Sequence, residues 1–243
     1  MRTIILLFSL ILNACTPVWN IPNDFQKVVI SSGMYDILTY QKISDSMTPI
    51  HIYIEGDGYA FNGAGRPTSD PTPRGTFLRN LSAKDNGPNV VYMARPCQYI
   101  MSSACDVSDW TSKRFSDDKI VAIANAIKQV AQNQPIVLVG YSGGAMISGL
   151  VIQQNPDLNI KKWVTIAGVL NHSDWTSYFG DLPLSGSQNL NELPHVEQLH
   201  YIAENDKVVP KQLSYQWLSE KTLITVPKAT HTNMEKIKID FTY

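Results

Sequence analysis

The stretch Pro135–Gly144, P-I-V-L-V-G-Y-S-G-G, sets one serine where it could act as a nucleophile. The apolar run from Ile136 to Val139 reads as a buried strand, and a helical apolar pattern begins directly after Gly144. Strand, G-x-S-x-G, helix is the setting of a nucleophile elbow. Its turn is so tight that the positions two before and two after Ser142 must be nearly free of side chain, which Gly140 and Gly144 provide. Tyr141 precedes the serine and Gly143 follows it, with the Gly143 amide expected to face the place where an oxyanion would form. An ordinary glycine-rich turn is the plain alternative.

A serine hydroxyl is a poor nucleophile until a base takes its proton. That base should be a histidine oriented by a buried carboxylate, and in the chain order that goes with G-x-S-x-G the acid comes next and the histidine last. Asp206, just beyond an apolar run ending at Ala203, is the expected acid, and His231, just beyond Leu223–Val226, the expected base. Glu204 and Asp174 are the alternative acids. His51, His195 and His200 lie before or within expected strands and read as structural, whereas His172 falls at the active edge, where a structural residue and a pocket-lining one are both open readings.

An oxyanion needs a second amide donor besides Gly143. The turn Glu55-Gly56-Asp57-Gly58 is placed to supply it, from the Asp57 amide or alternatively from Gly58. A carboxylate there would oppose an oxyanion unless it points away or pairs with a base such as Arg66 or Arg95.

The elements that must hold these residues alternate. Gln26–Ser31 and Met34–Ile43 read as a hairpin, and Pro49–Ile54, Asn89–Ala94, Ile160–Ile166, Val196–Ala203 and Leu223–Val226 as further strands. Helices are expected over Thr76–Ala83, Ser116–Gln132 with Ser116 as cap, Ala145–Gln154, Pro210–Glu220 and Thr232–Asp240. Such alternation implies an α/β fold: a mostly parallel sheet with helices on both faces, an antiparallel leading hairpin, and ligands at the carboxyl ends of the strands. Two segments break the rhythm. Residues 59–75 are too long and too rich in Gly and Pro for a plain connector, and residues 171–194, with Trp175, Tyr178 and Phe179, read as an apolar pocket wall, a lid or the core of a small insertion.

The chain has 243 residues, 44% hydrophobic and 17% charged, with a formal net charge of −1, which suits one domain over residues 25–243 and offers nothing to a nucleic acid. Met1-Arg2 followed by the apolar run Ile4 to Leu12 reads as a signal peptide over residues 1–14, too short to span a bilayer. Leu12-Asn13-Ala14-Cys15 resembles a bacterial lipobox, which implies a lipidated Cys15, a tether over residues 15–24 and a membrane-anchored, exported protein. Thr16 after the cysteine implies the periplasmic face of the outer membrane in a Gram-negative host. Cys97 and Cys105 are close enough to close a disulfide in an oxidising compartment, with two free thiols as the alternative. Neither has a CxxC partner or a nearby histidine at metal spacing, so no metal is expected.

From about Gln26 to Tyr243 the chain resembles the α/β-hydrolase superfamily. Within it, Tyr53–Gly58, Ala94–Tyr99 and Trp110–Phe115 resemble a group of exported bacterial hydrolases. The resemblance implies the α/β-hydrolase fold, a serine triad of Ser142, Asp206 and His231, an acyl-enzyme, a small-molecule or lipid-like acyl substrate and no cofactor. An esterase follows, with a peptidase, an acyltransferase or a non-catalytic lipid-anchored binding protein as alternatives. The oxyanion turn reads E-G-D-G rather than H-G or H-G-G-G, which sets the chain apart from the well-known lipase and esterase branches.

Overall fold

A computed structural model describes residues 19–234 and 236–243. The expected signal peptide, the lipobox and Cys15 lie outside the described residues. Eight strands form one sheet: β1 (Gln26–Ser32), β2 (Tyr35–Ile43), β3 (Ile50–Ile54), β4 (Asn89–Met93), β5 (Ile136–Tyr141), β6 (Ile160–Ile166), β7 (Glu197–Ala203) and β8 (Leu223–Val226). Their order across the sheet is β1-β2-β4-β3-β5-β6-β7-β8. The β1–β2 hairpin is antiparallel, β2 joins β4 antiparallel, and every pairing from β4 to β8 is parallel.

Alternation along the central strands divides the core in two. Ile50, Ile52 and Ile54 of β3 and Ile136 and Leu138 of β5 face one side, where α2 (Asp117–Ala131) and α3 (Gly143–Gln154) cover them. Tyr53, Val137, Val139 and Tyr141 face the other, under α1 (Phe77–Ala83). β3 and β5 lie in the middle of the sheet, so the turns at their carboxyl ends, Glu55–Gly58 and Tyr141–Gly143, emerge side by side.

Four expectations about elements are corrected. Residues 171–194 contain a helix, α4 (His172–Phe179), whose first turn is capped by Asn171 Oδ1 accepting from the Ser173 and Asp174 amides and which stops at Gly180 in a left-handed conformation. Ser116 does stand before α2, but its hydroxyl bonds the Asp118 carboxylate instead of a helix amide. The helix after Pro210 is short, α5 (Lys211–Tyr215). No helix is present in the described part of Thr232–Asp240. There Ile237, Ile239 and Phe241, spaced two apart, lay one edge of an extended tail onto the second core. Phe241 stacks on His51 with ring centres 3.8 Å apart, and Tyr201 Oη donates to the Lys238 carbonyl at 3.0 Å while accepting from the Asp240 amide. Residues 59–75, by contrast, contain no helix or strand, only an isolated bridge between Phe61 and Pro67.

Candidate active site

β5 ends in the elbow. Ser142 has φ 51° and ψ −122°, a left-handed conformation that an ordinary residue adopts only when its surroundings force it. The forcing is visible. The Ser142 amide donates to Ile166 of β6 at 3.0 Å, and its carbonyl accepts from Ala145 at 3.1 Å and from Val169 at 3.0 Å. A side chain at Gly144 would collide with the carbonyls of Ile54 and Glu55, so β3 and α3 could not approach this closely with any other residue there.

Three side chains from three strand ends then meet. Ser142 Oγ lies 3.1 Å from His231 Nε2, and His231 Nδ1 donates to Asp206 Oδ2 at 2.8 Å. Asp206, its carboxylate almost wholly buried, is fixed through Oδ1 by the amides of Val208 and Val209, both at 2.8 Å. With Nδ1 as donor, Nε2 is left to accept the serine proton. The Tyr141 hydroxyl donates to the His231 carbonyl at 3.2 Å and holds the β8–tail turn against the elbow. The alternative acids are engaged elsewhere: Glu204 accepts from the Lys228 amide at 2.7 Å, and Asp174 from the Trp217 indole at 2.9 Å.

The Asp57 carboxylate is paired, and with more than was expected. Arg95 Nη1 donates to Oδ1 and Arg114 Nη1 to Oδ2, the latter at 2.6 Å. Of the two expected partners Arg95 is present, and Arg114 stands in place of Arg66. Burial pushes the Asp57 carboxyl pKa up, but the two guanidiniums outweigh this and hold it below the ordinary value. The carboxylate also packs where a side chain on Gly143 would be. Gln98 ties the turn from behind, donating to the Gly56 carbonyl at 2.8 Å and accepting from the Arg95 amide at 3.0 Å. Cys97 and Cys105, joined in a disulfide, close the loop that carries Gln98. Gly143 opens α3 and so has no acceptor within the helix; the Asp57 amide likewise donates to nothing among the described residues. Among the described residues neither amide has an acceptor.

A cavity of about 430 Å³ opens on Ser142 and His231. Phe77, Leu78, Phe115, Val169, Leu184 and Val209 supply much of its apolar lining, and residues 59–61 and 73–75 line it as well. Trp175 lines it; Tyr178 and Phe179 do not and are exposed. His172 is buried at its wall, stacked on Phe115, with both ring nitrogens lacking a hydrogen-bond partner among the described residues. The other histidines lie apart from it. His51 bonds Asp85 at 2.8 Å, His200 bonds Thr165 at 2.8 Å and is pushed by burial to a pKa of about 3, and His195 is exposed beside Glu192. Among the described residues no three His, Cys, Asp or Glu side chains gather as metal ligands.

No protein-family model matches the chain, and no curated protein matches its sequence. Its fold is nonetheless shared. Est1E from Butyrivibrio proteoclasticus superposes with a TM-score of 0.59 at 15% identity, over 86% of this chain and 91% of that one. An α/β serine hydrolase without a lid from Xanthomonas campestris gives 0.55 at 16% identity, over 88% and 89%. A serine hydrolase from the polyaromatic-hydrocarbon-degrading bacterium Cycloclasticus zankles gives 0.58 at 11%, over 87% and 93%. The chain has the α/β-hydrolase fold.

Proposed function

We propose that the protein is a serine hydrolase that cleaves carboxylic esters through an acyl-enzyme. The observation that carries this reading is the hydrogen-bonded series Ser142–His231–Asp206, in the order and at the distances proton transfer requires. His231 Nε2 takes the proton of Ser142 as Oγ attacks the acyl carbon. The oxyanion that forms is held by the free amides of Gly143 and Asp57. As the intermediate collapses, the C–O bond to the alcohol breaks and the imidazolium returns its proton to the departing oxygen. Water, deprotonated by the same nitrogen, then attacks the acyl-enzyme; a second oxyanion collapses, the acid leaves and Ser142 regains its proton.

The charges around Asp57 fit this scheme. A lone carboxylate beside the oxyanion would oppose it; with Arg95 and Arg114 attached, the cluster carries a net positive charge and favours it. The apolar cavity suits an acyl chain. The lipobox-like N-terminus supports a lipid on Cys15 and an exported, membrane-anchored enzyme; a Cys15→Ala protein should leave the membrane fraction, and full retention there would remove the anchor.

Labelling with a fluorophosphonate probe followed by peptide mapping tests the site. Modification is expected at Ser142, and Ser142→Ala should lower nitrophenyl-ester hydrolysis by about a thousandfold or more. A label on another residue, or activity retained in Ser142→Ala, would overturn the assignment.

A further inference from the structure

The scheme above leaves unused a set of polar groups that line the cavity. Arg114 donates from Nε to the Thr111 carbonyl at 2.8 Å and from Nη1 to Asp57, but Nη2 has no acceptor among the described residues. Its guanidinium is nearly buried and lies between the rings of Phe61 and Trp175, 5.5 and 5.8 Å from their centres. Two arginines share Asp57 here, and the buried Glu55 carboxyl also acts on Arg95, so Arg114 is the nearly buried guanidinium of the pair with an edge left for a ligand. His172, at the start of α4, lines the same cavity; burial first, and then the Arg114 charge, disfavours its protonation, against the Ser187 and Gln188 backbone, which favours it. Among the described residues neither ring nitrogen has a partner at hydrogen-bonding geometry, which is rare for a buried polar group. A half-turn of the ring keeps its stacking on Phe115 while exchanging each nitrogen for a carbon, so the edge it offers the cavity is adjustable. Arg74, which also lines the cavity, lies over Tyr59 and has no carboxylate partner among the described residues. The remaining carboxylate at the cavity, Glu55, has its oxygens occupied by the Gly56 amide at 2.9 Å and the Tyr92 hydroxyl at 2.8 Å.

The geometry points to a carboxylate-binding subsite in this cavity, between Arg114 Nη2 on one wall and His172 of α4 on the other, with Arg74 adding positive charge to the lining: the substrate is an ester that carries a carboxylate at a distance from the bond being cleaved. A guanidinium with a free NH₂ edge suits a carboxylate oxygen, and a single such edge suits a monoanion better than a dianionic phosphate. The carboxylate is bound and released unchanged. The inference rests on the ester-hydrolase reading and refines its substrate class.

Two esters of equal chain length separate the possibilities: p-nitrophenyl hexanoate, and the mono-p-nitrophenyl ester of adipic acid, in which a carboxylate replaces the terminal methyl. The wild-type protein is expected to favour the adipate ester in kcat/KM by about tenfold or more, and Arg114→Gln and His172→Phe should each reduce that ratio by about fivefold, chiefly through KM. A wild-type ratio of one or below, or a ratio that neither variant moves, would overturn the subsite. A second measurement does not depend on turnover or on those variants. Ser142→Ala protein, titrated calorimetrically, should bind monomethyl adipate about tenfold more tightly than methyl hexanoate; equal affinities would overturn the subsite. If the hexanoate ester is cleaved and the ratio is one, the subsite falls and the hydrolase stands. If neither ester is cleaved while monomethyl adipate still binds selectively, the hydrolase falls and the subsite stands.

Discussion

The two walls of the cavity are built in opposite ways. The wall formed by Gly56–Gly58, the Arg95–Cys105 loop and Arg114 is fastened by charge and covalent bonding: two guanidiniums on one carboxylate, a glutamine bridging two backbones, and a disulfide behind it. The wall formed by α4 and the chain after it is held by hydrogen bonds, Trp175 to the Val208 carbonyl, Trp217 to Asp174, Asn189 to the His172 amide and Ser173, and Ser187 to Ser112 and Phe115, and it turns Tyr178 and Phe179 to solvent. Tyr178 and Phe179 pack mainly on each other, with ring centres 5.0 Å apart, and Leu182 is 86% exposed. The fastened wall holds the amide proposed to meet the developing charge, where a small displacement would be costly. The looser wall is the one proposed to meet the body of the substrate, where residue changes would alter size and shape at little cost to the fold.

Removing the carboxylate that joins the two arginines should do the most damage. Asp57→Ala leaves two buried guanidiniums without their partner, and urea denaturation should show a loss of about 3–5 kcal/mol; a loss near that of an average surface change would mean the wall is not fastened there. Next in size, replacing both Cys97 and Cys105 by serine should cost about 2–3 kcal/mol and lower kcat more than it raises KM, because Gln98 loses its anchorage. An unchanged kcat would separate the disulfide from the oxyanion turn.

Acid should distinguish the walls by the pH at which each loosens. Asp57 has a depressed folded-state pKa, so its contribution is present above the unfolded carboxylate value of 3.8 and is lost only as pH falls through its lower folded value. The His172 pKa is also lowered, by burial first, so the neutral ring stabilises the fold fully above the unfolded value of 6.5 and progressively less as pH drops below it. Acidification should therefore loosen the α4 wall first. Stability of the wild-type protein measured between pH 7 and 5 should decline more steeply than that of His172→Phe, and parallel curves would assign the decline elsewhere. The smallest effect is expected at Tyr178→Ser and Leu182→Ser, each within about 0.5 kcal/mol by thermal unfolding; a large loss at either would show that the second wall is not as loose as its exposure implies.

Legibility in the sequence followed the range of the interactions involved. Ser142, Asp206 and His231 stand just past apolar runs, and parallel strands deliver such positions to one edge, so three distant residues could be expected to meet. The hairpin and the alternation of strands and helices were readable for the same reason. Arg114 was not readable as a partner of Asp57, since 57 residues separate them and no local pattern links them. Nor was the unpartnered state of His172, which depends on what fails to approach it. α4 did carry a local signal in its caps, Asn171 and Gly180, but the aromatic residues between them obscured the period. In the tail, Ile237, Ile239 and Phe241 repeat every second residue, a strand-like spacing that finds no neighbouring strand.

The left-handed backbone at Ser142 bears on what kind of variation the chain tolerates. A serine at φ 51° is held about 1–3 kcal/mol above a relaxed conformation, and glycine would largely remove that strain. Selection for durability alone would thus drift toward glycine at position 142, and inactive descendants of this protein should be sturdier than their parent. Ser142→Gly is the quickest route to such a molecule, and its melting temperature compared with that of Ser142→Ala would measure what the fold gives up to hold its hydroxyl in place.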